Sequence, residues 1–253
     1  AIDTVSGGGA TENGTQSVTI TITDDESAPT VTLTSSASSI AENSGSSLTL
    51  TATLSGATSE NVTVGISTSG TGTEGTDYGT VSDITITAGS TTGTVSFTPT
   101  DDSVYEGNET GIIAIDTVSG GGATENGTQS VTLTITDNES APTVTLTSSA
   151  SSIAENAGSS LTLTATLSVA TTANVTVGIS TSGTGTEGAD YATVSDITIT
   201  AGSTTGTTSF TPTDDSTFEG DETGIIAIDT VTGGSATEDG TQSVTITINE
   251  DDS

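Results

Sequence analysis

Residues 47–54 read SLTLTATL, with an apolar residue at every second position and serine or threonine between them. Successive side chains of a β-strand point to opposite faces, so this alternation predicts a strand with one face buried and the other in water. Threonine suits the exposed face, because its branched side chain packs well on a pleated surface. The stretch therefore predicts a half-buried strand.

The same alternation recurs on both sides of this stretch. Segments rich in Gly, Ser, Asn and Asp separate the apolar stretches and predict turns, and no segment has a helical period of useful length. Seven strands in about a hundred residues predict an all-β fold, an antiparallel sandwich of the immunoglobulin type. Besides residues 47–54, the predicted strands are TVTLT (30–34), NVTVGIS (61–67), DITITAG (83–89), GTVSFTP (93–99), TGIIAIDTV (110–118) and SVTLTIT (130–136).

The chain is a tandem array. AIDTV occurs at residues 1, 114 and 227, so equivalent positions are 113 residues apart. The phrase APTVTLTSSASSIAEN begins at Ala28 and at Ala141, and we therefore place full units at 28–140 and 141–253. Residues 1–27 are interpreted as the C-terminal part of a preceding unit. A period of this length suits one compact domain per copy and is too long for a solenoid repeat.

The charge of the chain is unusual. It has 33 acidic residues and no lysine, arginine or histidine, for a formal net charge of −33. Such a charge disfavours nucleic acid and anionic membranes as partners and favours cations. Few large apolar residues at this charge are typical of disorder, and the regular alternation is the reason for predicting a folded chain instead. We expect metal binding to help complete the fold.

The acidic residues lie mainly in the predicted loops. TDDSVYEGNETG, residues 100–111, holds four of them. The loops of a sandwich gather at its two ends, where carboxylates can converge on a hard cation such as calcium, which takes about six to eight oxygens. Alternatively, the acids only decorate solvated turns; their mutual repulsion, with no base nearby, favours the metal site. The candidates in the first full unit are Glu42, Asp77, Asp101, Asp102, Glu106, Glu109, Asp137 and Glu139.

Both full units resemble the Calx-beta domain, a family found in sodium–calcium exchangers, in integrin beta-4 and in very long bacterial surface proteins. The resemblance rests on four motifs in a fixed order: IAENSG (40–45), GTEGTDY (72–78), TDDSVYEGNET (100–110) and the terminal TDNES (136–140). It implies a seven-stranded immunoglobulin-like sandwich with calcium ions at one end, near the junction with the next domain.

The resemblance also implies a ligand set in each unit. In the first unit the set is the eight acids named above, and Asn138 interrupts the usual run of aspartates. Its amide oxygen can still coordinate but carries no charge, so we expect fewer or more weakly bound ions there. Asp24, Asp25 and Glu26 of the partial unit could serve only a site at the junction with the unit that begins at Ala28. The matching residues of the second unit are Glu155, Asp190, Asp214, Asp215, Glu219, Glu222, Glu250, Asp251 and Asp252.

Three classes of function are weighed. The favoured one is a calcium-rigidified segment of an extracellular or cell-surface adhesin, stalk or filament, because the two full units differ at only 18 of 113 positions and near-identical neighbours suit spacing. The alternative is a calcium-sensing pair that regulates a membrane protein, which only the resemblance supports. An enzyme is disfavoured because the chain lacks the usual bases, thiols and cationic clamps, and no catalytic residue or organic cofactor is predicted.

The expected partners are neighbouring repeats of the same chain or identical subunits. Residues 17–23, SVTITIT, predict a strand whose edge would be unpaired, and an exposed edge can pair with another chain. Either residues 1–27 belong to a longer array, which is the preferred interpretation, or they insert into a neighbouring subunit. The longest apolar run, IIAI at 112–115 and 225–228, is too short to cross a bilayer, so no direct membrane insertion is expected.

Overall fold

The computed structural model describes residues 1–252. Strands account for nearly all of the regular structure in these residues, and Glu42–Ser44 form a single 3₁₀ turn. The prediction of an all-β chain is confirmed. Within the described residues, no helix has the length and apolar character needed to span a membrane.

Apart from one two-residue strand in each, β7 and β14, the two full units contain equivalent sets of strands. The strands of the first unit are β1 Thr30–Ser35, β2 Ser39–Ala41, β3 Leu48–Leu54, β4 Val62–Gly70, β5 Ile84–Ile86, β6 Thr92–Phe97, β7 Val104–Tyr105, β8 Glu109–Ser119, β9 Thr124–Glu125 and β10 Ser130–Thr136. Those of the second are β11 Thr143–Ser148, β12 Ser152–Ala154, β13 Leu161–Leu167, β14 Ala170–Thr171, β15 Val175–Gly183, β16 Ile197–Ile199, β17 Thr205–Phe210, β18 Glu222–Thr232, β19 Thr237–Glu238 and β20 Ser243–Asn249.

Each unit is a sandwich of a four-stranded and a five-stranded sheet. The orders are β6-β3-β1-β9 and β2-β10-β8-β4-β5 in the first unit, and β17-β13-β11-β19 and β12-β20-β18-β15-β16 in the second. All the strands predicted between residues 30 and 136 are present. These sheets contain two additional strands, β2 and β9, which are short segments that pair in parallel with β10 and β1. They were not predicted because so few residues cannot show an alternating pattern.

The core lies between the two sheets. In β3 the leucines and the alanine are buried, while the threonines are exposed or half-buried, as the alternation predicts. Tyr78 and Phe97 are fully buried, with ring centroids 4.7 Å apart, and Tyr191 and Phe210 repeat this pair at 4.8 Å. Burying one such large apolar side chain contributes about 1.5–3 kcal/mol, which offsets part of the repulsion among the carboxylates.

A short parallel strand pair joins the two full units. Val104 of β7 is paired with Ala170 of β14, and Tyr105 with Thr171. β7 lies in the acidic loop of the first unit, and β14 lies in the connection between β13 and β15 of the second. Neither strand has a counterpart in the other unit within residues 28–252. We call the β7–β14 pair the joint. It forms only where one unit meets the next.

Residues 1–27 contain no strand, although residues 17–23 were predicted to form one. Val18, Ile20 and Ile22 are 82–92% exposed. The nearly identical β10 has β8 and β2 on its two sides, and the first 27 residues have no such neighbours in the described chain. The prediction of a strand is wrong here, because alternation favours a strand only where another strand supplies the hydrogen bonds and an opposite sheet covers the apolar face.

Candidate metal centre

Glu42, Asp137 and Glu139 form one acidic cluster of the first unit, in which a carboxylate oxygen of each lies within 4.8 Å of the others. Glu42 begins the 3₁₀ turn that follows β2, and the other two residues follow β10. They meet because β2 pairs in parallel with β10. Oε2 of Glu139 is buried and has no hydrogen-bond partner among the described residues. A bound cation would compensate for the loss of hydration of this oxygen.

Asp137 connects this cluster to the acidic loop. Its Oδ2 accepts the N–H groups of Glu106, at 2.8 Å, and Gly107, at 2.6 Å, and its Oδ1 accepts the N–H of Glu139, at 2.8 Å. Gly107 has φ = 76°, a left-handed conformation that glycine adopts without strain. Burial favours a higher pKa for Asp137, but these hydrogen bonds hold its pKa below the ordinary value. Asp137 therefore remains charged and fixes the loop.

Asp77, Glu106 and Glu109 form the second cluster of the first unit, again with carboxylate oxygens within 4.8 Å of one another. Oδ2 of Asp77 accepts the N–H of Thr73 at 2.6 Å, which closes the loop between β4 and β5. Burial raises the pKa of both Glu106 and Glu109 to about 7, and repulsion from Asp77 adds to the effect. A divalent cation beside them would favour their ionised forms.

The second unit has two clusters at the equivalent places, although in one of them Asp251, the counterpart of Asn138, takes the place of Glu139. Glu250 replaces Asp137, yet its Oε2 accepts the equivalent N–H groups, from Glu219 at 2.6 Å and from Gly220 at 2.9 Å. The longer side chain thus makes the same connection to the loop. Oδ2 of Asp252 is buried without a hydrogen-bond partner among the described residues, as Oε2 of Glu139 is in the first unit. The clusters consist of Glu155, Glu250 and Asp251, and of Asp190, Glu219 and Glu222.

Some of the predicted ligands lie outside these clusters and make local contacts instead. Oδ1 of Asp102 accepts the N–H of Val104 at 2.7 Å, and the N–H of Asp102 donates to Oε1 of Glu42 at 2.9 Å. The side-chain amide of Asn138 donates to Oε1 of Glu139 at 2.9 Å. Asp24, Asp25 and Glu26 form a separate group whose three residues are exposed. The predicted residues outside the four clusters of the full units are Asp101, Asp102, Asn138, Asp214, Asp215, Asp252 and these three.

Sequence reasoning missed Asn108 and Asp221. Oδ1 of Asn108 accepts the N–H of Asp137 at 3.2 Å, and Oδ1 of Asp221 accepts the N–H of Glu250 at 3.1 Å. Both side chains therefore position the residue that follows the last strand of their unit. Both residues lie inside the acidic segments 100–111 and 213–224, so a signal was available. Asn108 was not selected because it carries no charge, and its counterpart Asp221 was left out with it.

Glu74, which has no place in either cluster, has a structural role. Its Oε2 accepts the hydroxyl of Thr68 at 2.6 Å, and its Oε1 accepts the N–H of Val81 at 3.1 Å. These bonds tie the loop after β4 to the strand itself. The carboxylate is therefore used within the fold, next to the candidate centre.

Comparison with known proteins gives a family for the chain. The sequence profile of the Calx-beta domain matches residues 24–139 and again residues 137–252. None of the curated protein sequences shows significant similarity to the chain.

Several solved structures are similar to the chain. CBD12 from CALX1.2 shares 17% identity over 87% of this chain and 100% of its own, with a TM-score of 0.39. The calcium binding domain CBD12 of CALX1.1 shares 16% identity over 84% of this chain and 96% of its own, with a TM-score of 0.37. The adhesin InvE of Yersinia pseudotuberculosis shares 15% identity over 87% of this chain and 59% of its own, with a TM-score of 0.36.

Proposed function

This chain belongs to the Calx-beta domain family, and on that premise we propose that calcium binds at the acidic end of each full unit and stiffens the array. The array would serve as a spacer in an extracellular or cell-surface stalk, filament or adhesin. The observation that carries the proposal is the pair of three-carboxylate clusters in each unit of a chain that has no basic side chain. Calx-beta domains are calcium-binding, non-catalytic modules, and we propose no enzymatic role.

The donor set fits calcium. Every side chain in the clusters is a carboxylate, and a hard cation of this size prefers oxygen ligands in flexible geometry. The buried, unpartnered oxygens of Glu139 and Asp252 lie in the residues that follow β10 and β20. Bound calcium would supply the positive charge that the chain lacks, so the carboxylates would no longer repel one another without compensation.

The stiffening follows from where β7 lies. Asp102 precedes it and bonds to Glu42, while Glu106 follows it and is held by Asp137. Both ends of β7 are thus fastened to residues of the first cluster. An ion that orders these carboxylates also orders β7, and β7 is the strand that pairs with the second unit. Calcium at this end would therefore hold two neighbouring units in one arrangement.

A spacer is preferred over the alternative, a calcium-sensing pair attached to a membrane protein. Both functions would use the same coupling between ion and joint. The near-identity of the two units supports the spacer, because a sensor divides the roles of its two domains and a spacer repeats one role.

The test is thermal unfolding of the whole chain, first freed of metal and then across a calcium titration, with magnesium as the comparison ion. Saturation about a hundredfold above Kd stabilises the fold by about 2.7 kcal/mol per independent site, so the melting temperature is expected to rise steeply. Small-angle scattering on the same samples is expected to show a narrower range of chain dimensions with calcium. A melting temperature that does not change with calcium would contradict the proposal.

A matched pair of variants locates the effect. Glu106→Gln with Glu109→Gln removes two ionisable groups from one cluster and leaves side chains of nearly equal size. Asp116→Asn removes one charge from an exposed position on β8, away from the clusters. The first variant is expected to lose much of the calcium response and the second to keep it.

A further inference from the structure

The turn between β9 and β10 contains an asparagine followed by a glycine, Asn126 and Gly127. Both residues are exposed, and a Cβ added to Gly127 would meet no other atom within 4 Å, so water and hydroxide reach the peptide bond between them. The N–H of Gly127 lies outside both sheets and donates to the carbonyl of Glu125, two residues back, at 3.1 Å. No strand ladder therefore holds this N–H in place.

The side chain of Gln129 is fixed against this peptide bond by two contacts. Its Oε1 accepts the N–H of Leu33 in β1 at 3.3 Å, and its Nε2 donates to the carbonyl oxygen of Asn126 at 2.6 Å. Because Leu33 supplies a donor and Asn126 supplies an acceptor, only one orientation of the Gln129 amide satisfies both. The fold therefore directs an N–H donor at the carbonyl oxygen of the peptide bond between Asn126 and Gly127.

The second unit has an aspartate at the equivalent place of the same turn. The N–H of Asp239 donates to the carbonyl of Val144 at 3.0 Å, as the N–H of Asn126 donates to the carbonyl of Val31 at 3.0 Å. The glycine that follows has φ = 66° in the first unit and φ = 67° in the second. The turn thus accepts an amide or a carboxylate with the same backbone.

We infer that Asn126 is a site of spontaneous deamidation and that the side chain of Gln129 promotes the reaction. Hydroxide removes the proton from the nitrogen of Gly127, and amide resonance spreads the negative charge onto the carbonyl oxygen of Asn126. The Nε2–H of Gln129 already donates to this oxygen, so it stabilises the anion through a charge-assisted hydrogen bond. The reactive form of the peptide bond is therefore favoured by a contact that the fold supplies.

The reaction consumes one water, releases one ammonia and adds one negative charge to the first unit. The nitrogen of Gly127 attacks Cγ of Asn126, and Nδ2 leaves with a proton as ammonia, which gives a five-membered succinimide. Water then adds to one of the two ring carbonyls and breaks its bond to the nitrogen. Opening at Cγ gives aspartate, and opening at the backbone carbon gives isoaspartate, with one extra carbon in the main chain. None of the clustered carboxylates lies in this turn, so the inference is independent of the proposed function.

Mass spectrometry of the aged protein tests the inference. The whole folded chain is incubated in mildly alkaline buffer, and samples are digested with a glutamate-specific protease. This digestion places the two Asn–Gly pairs of the chain at the start of separate peptides, 13–26 and 126–139. Fragment spectra then follow the conversion of Asn126 to aspartate and isoaspartate. Asn13 is the internal reference, because it lies in a different segment that Gln129 does not contact.

Two variants of Gln129 isolate its contribution. Gln129→Leu removes both contacts of the side chain, whereas Gln129→Glu keeps an acceptor for the N–H of Leu33 and removes only the donor to Asn126. Loss of one hydrogen bond to a charged group is expected to slow the conversion of Asn126 about tenfold in both variants. The conversion of Asn13 is expected to stay the same. A purely structural role of Gln129 predicts the opposite, since a loosened turn brings the nitrogen to Cγ more often.

Unfolding in urea provides the matched control for the fold itself. The contact between Gln129 and Asn126 is lost there, so the original chain and both variants are expected to convert Asn126 at equal rates. If Asn126 of the folded original chain stays unconverted, the site is overturned. If the folded variants convert Asn126 as fast as the original chain or faster, the role of Gln129 is overturned.

Discussion

The two full units end in nearly the same set of carboxylates, but one end is covered by the next unit and the other has no neighbour within the described residues. Glu106, at the covered end, is half-buried, and burial raises its pKa to about 7. Its counterpart Glu219 is exposed. Adding a neighbour therefore removes solvent from the acidic loop and makes its uncompensated charge more costly. The comparison suggests that the joint and the ion are coupled, because the joint increases the need for a cation.

The largest expected effect comes from removing the residue that fastens the acidic loop. Asp137→Ala deletes a side chain that accepts three backbone N–H groups, and we expect it to destabilise the chain by about 2–4 kcal/mol. Glu250→Ala is expected to lower the free energy of unfolding by less, because no strand of another described unit pairs with the loop that Glu250 holds. Urea unfolding followed by circular dichroism measures both. Equal losses would mean that the joint adds nothing to the stability of the first unit.

The next effect concerns calcium itself. In Glu106→Gln with Glu109→Gln, the stabilisation by calcium is expected to fall by about 2–3 kcal/mol at saturation, and the joint is expected to loosen. The matched variant, Glu219→Gln with Glu222→Gln, is expected to lose a similar stabilisation but to leave the joint unchanged. Thermal unfolding reports the first quantity, and small-angle scattering reports the second. Loosening by both variants would contradict the assignment of the joint to β7.

The dependence of stability on pH sharpens the comparison further. Folding raises the pKa of Glu106 and Glu109 from 4.5 to about 7, so the folded chain binds protons more tightly than the unfolded chain. Their stabilising contribution is complete below pH 4.5 and is lost as the pH rises through 7. The metal-free chain is therefore expected to melt at a higher temperature at pH 5 than at pH 7.5.

Asp137 does not reverse this expectation. Its pKa lies below the ordinary value of 3.8, so the stability that it contributes is lost only in stronger acid. Calcium is expected to stabilise the chain more at pH 7.5 than at pH 5, because protonated carboxylates do not bind it. A chain purified over a chelating resin allows the metal-free measurement at both pH values. A metal-free melting temperature that falls on acidification from pH 7.5 to pH 5 would contradict the role assigned to the two glutamates.

The smallest expected effect compares Thr171, which lies in the joint, with its unpaired counterpart Thr58. The hydroxyls of Thr171 and Thr58 both donate to a carbonyl at 2.6 Å, those of Ala173 and Glu60, but only Thr171 is fully buried. Thr171→Ala is expected to lower the free energy of unfolding by about 1 kcal/mol, because the carbonyl of Ala173 loses its hydrogen bond from a buried hydroxyl. Thr58→Ala is expected to lower it by less. Thermal unfolding in calcium compares the two variants. A larger cost for Thr58→Ala would show that the burial of Thr171 at the joint carries no stability.

Much of the candidate centre could be predicted from the sequence. Glu42, Asp77, Glu106 and Glu109 lie in or directly beside loops that a sandwich brings to one end, and all four belong to a cluster. Asp101 and Asp102 have the same signature but belong to neither. An acidic residue in a loop can be recognised locally, whereas the direction of its side chain depends on which backbone N–H groups are nearby.

The joint could not be predicted from the alternation of residues. Val104 and Tyr105 read as part of an acidic loop, and Ala170 and Thr171 as part of a turn. They form strands only because they meet, and each segment is too short to carry a pattern of its own. A strand of two residues forms only when a partner strand supplies its backbone hydrogen bonds.

The sequence by itself determined the repeat, the all-β architecture, the buried positions of each strand and the acidic character of the loops, because these follow from short-range patterns and composition. Only the tertiary structure decided which carboxylates lie together, which end is covered and whether a given strand forms. Residues 17–23 and 130–136 differ at a single position, yet the first segment is exposed and forms no strand, and the second is β10. The physical reason is that backbone hydrogen bonds and apolar burial require neighbours, and the neighbours are supplied by residues distant in the chain.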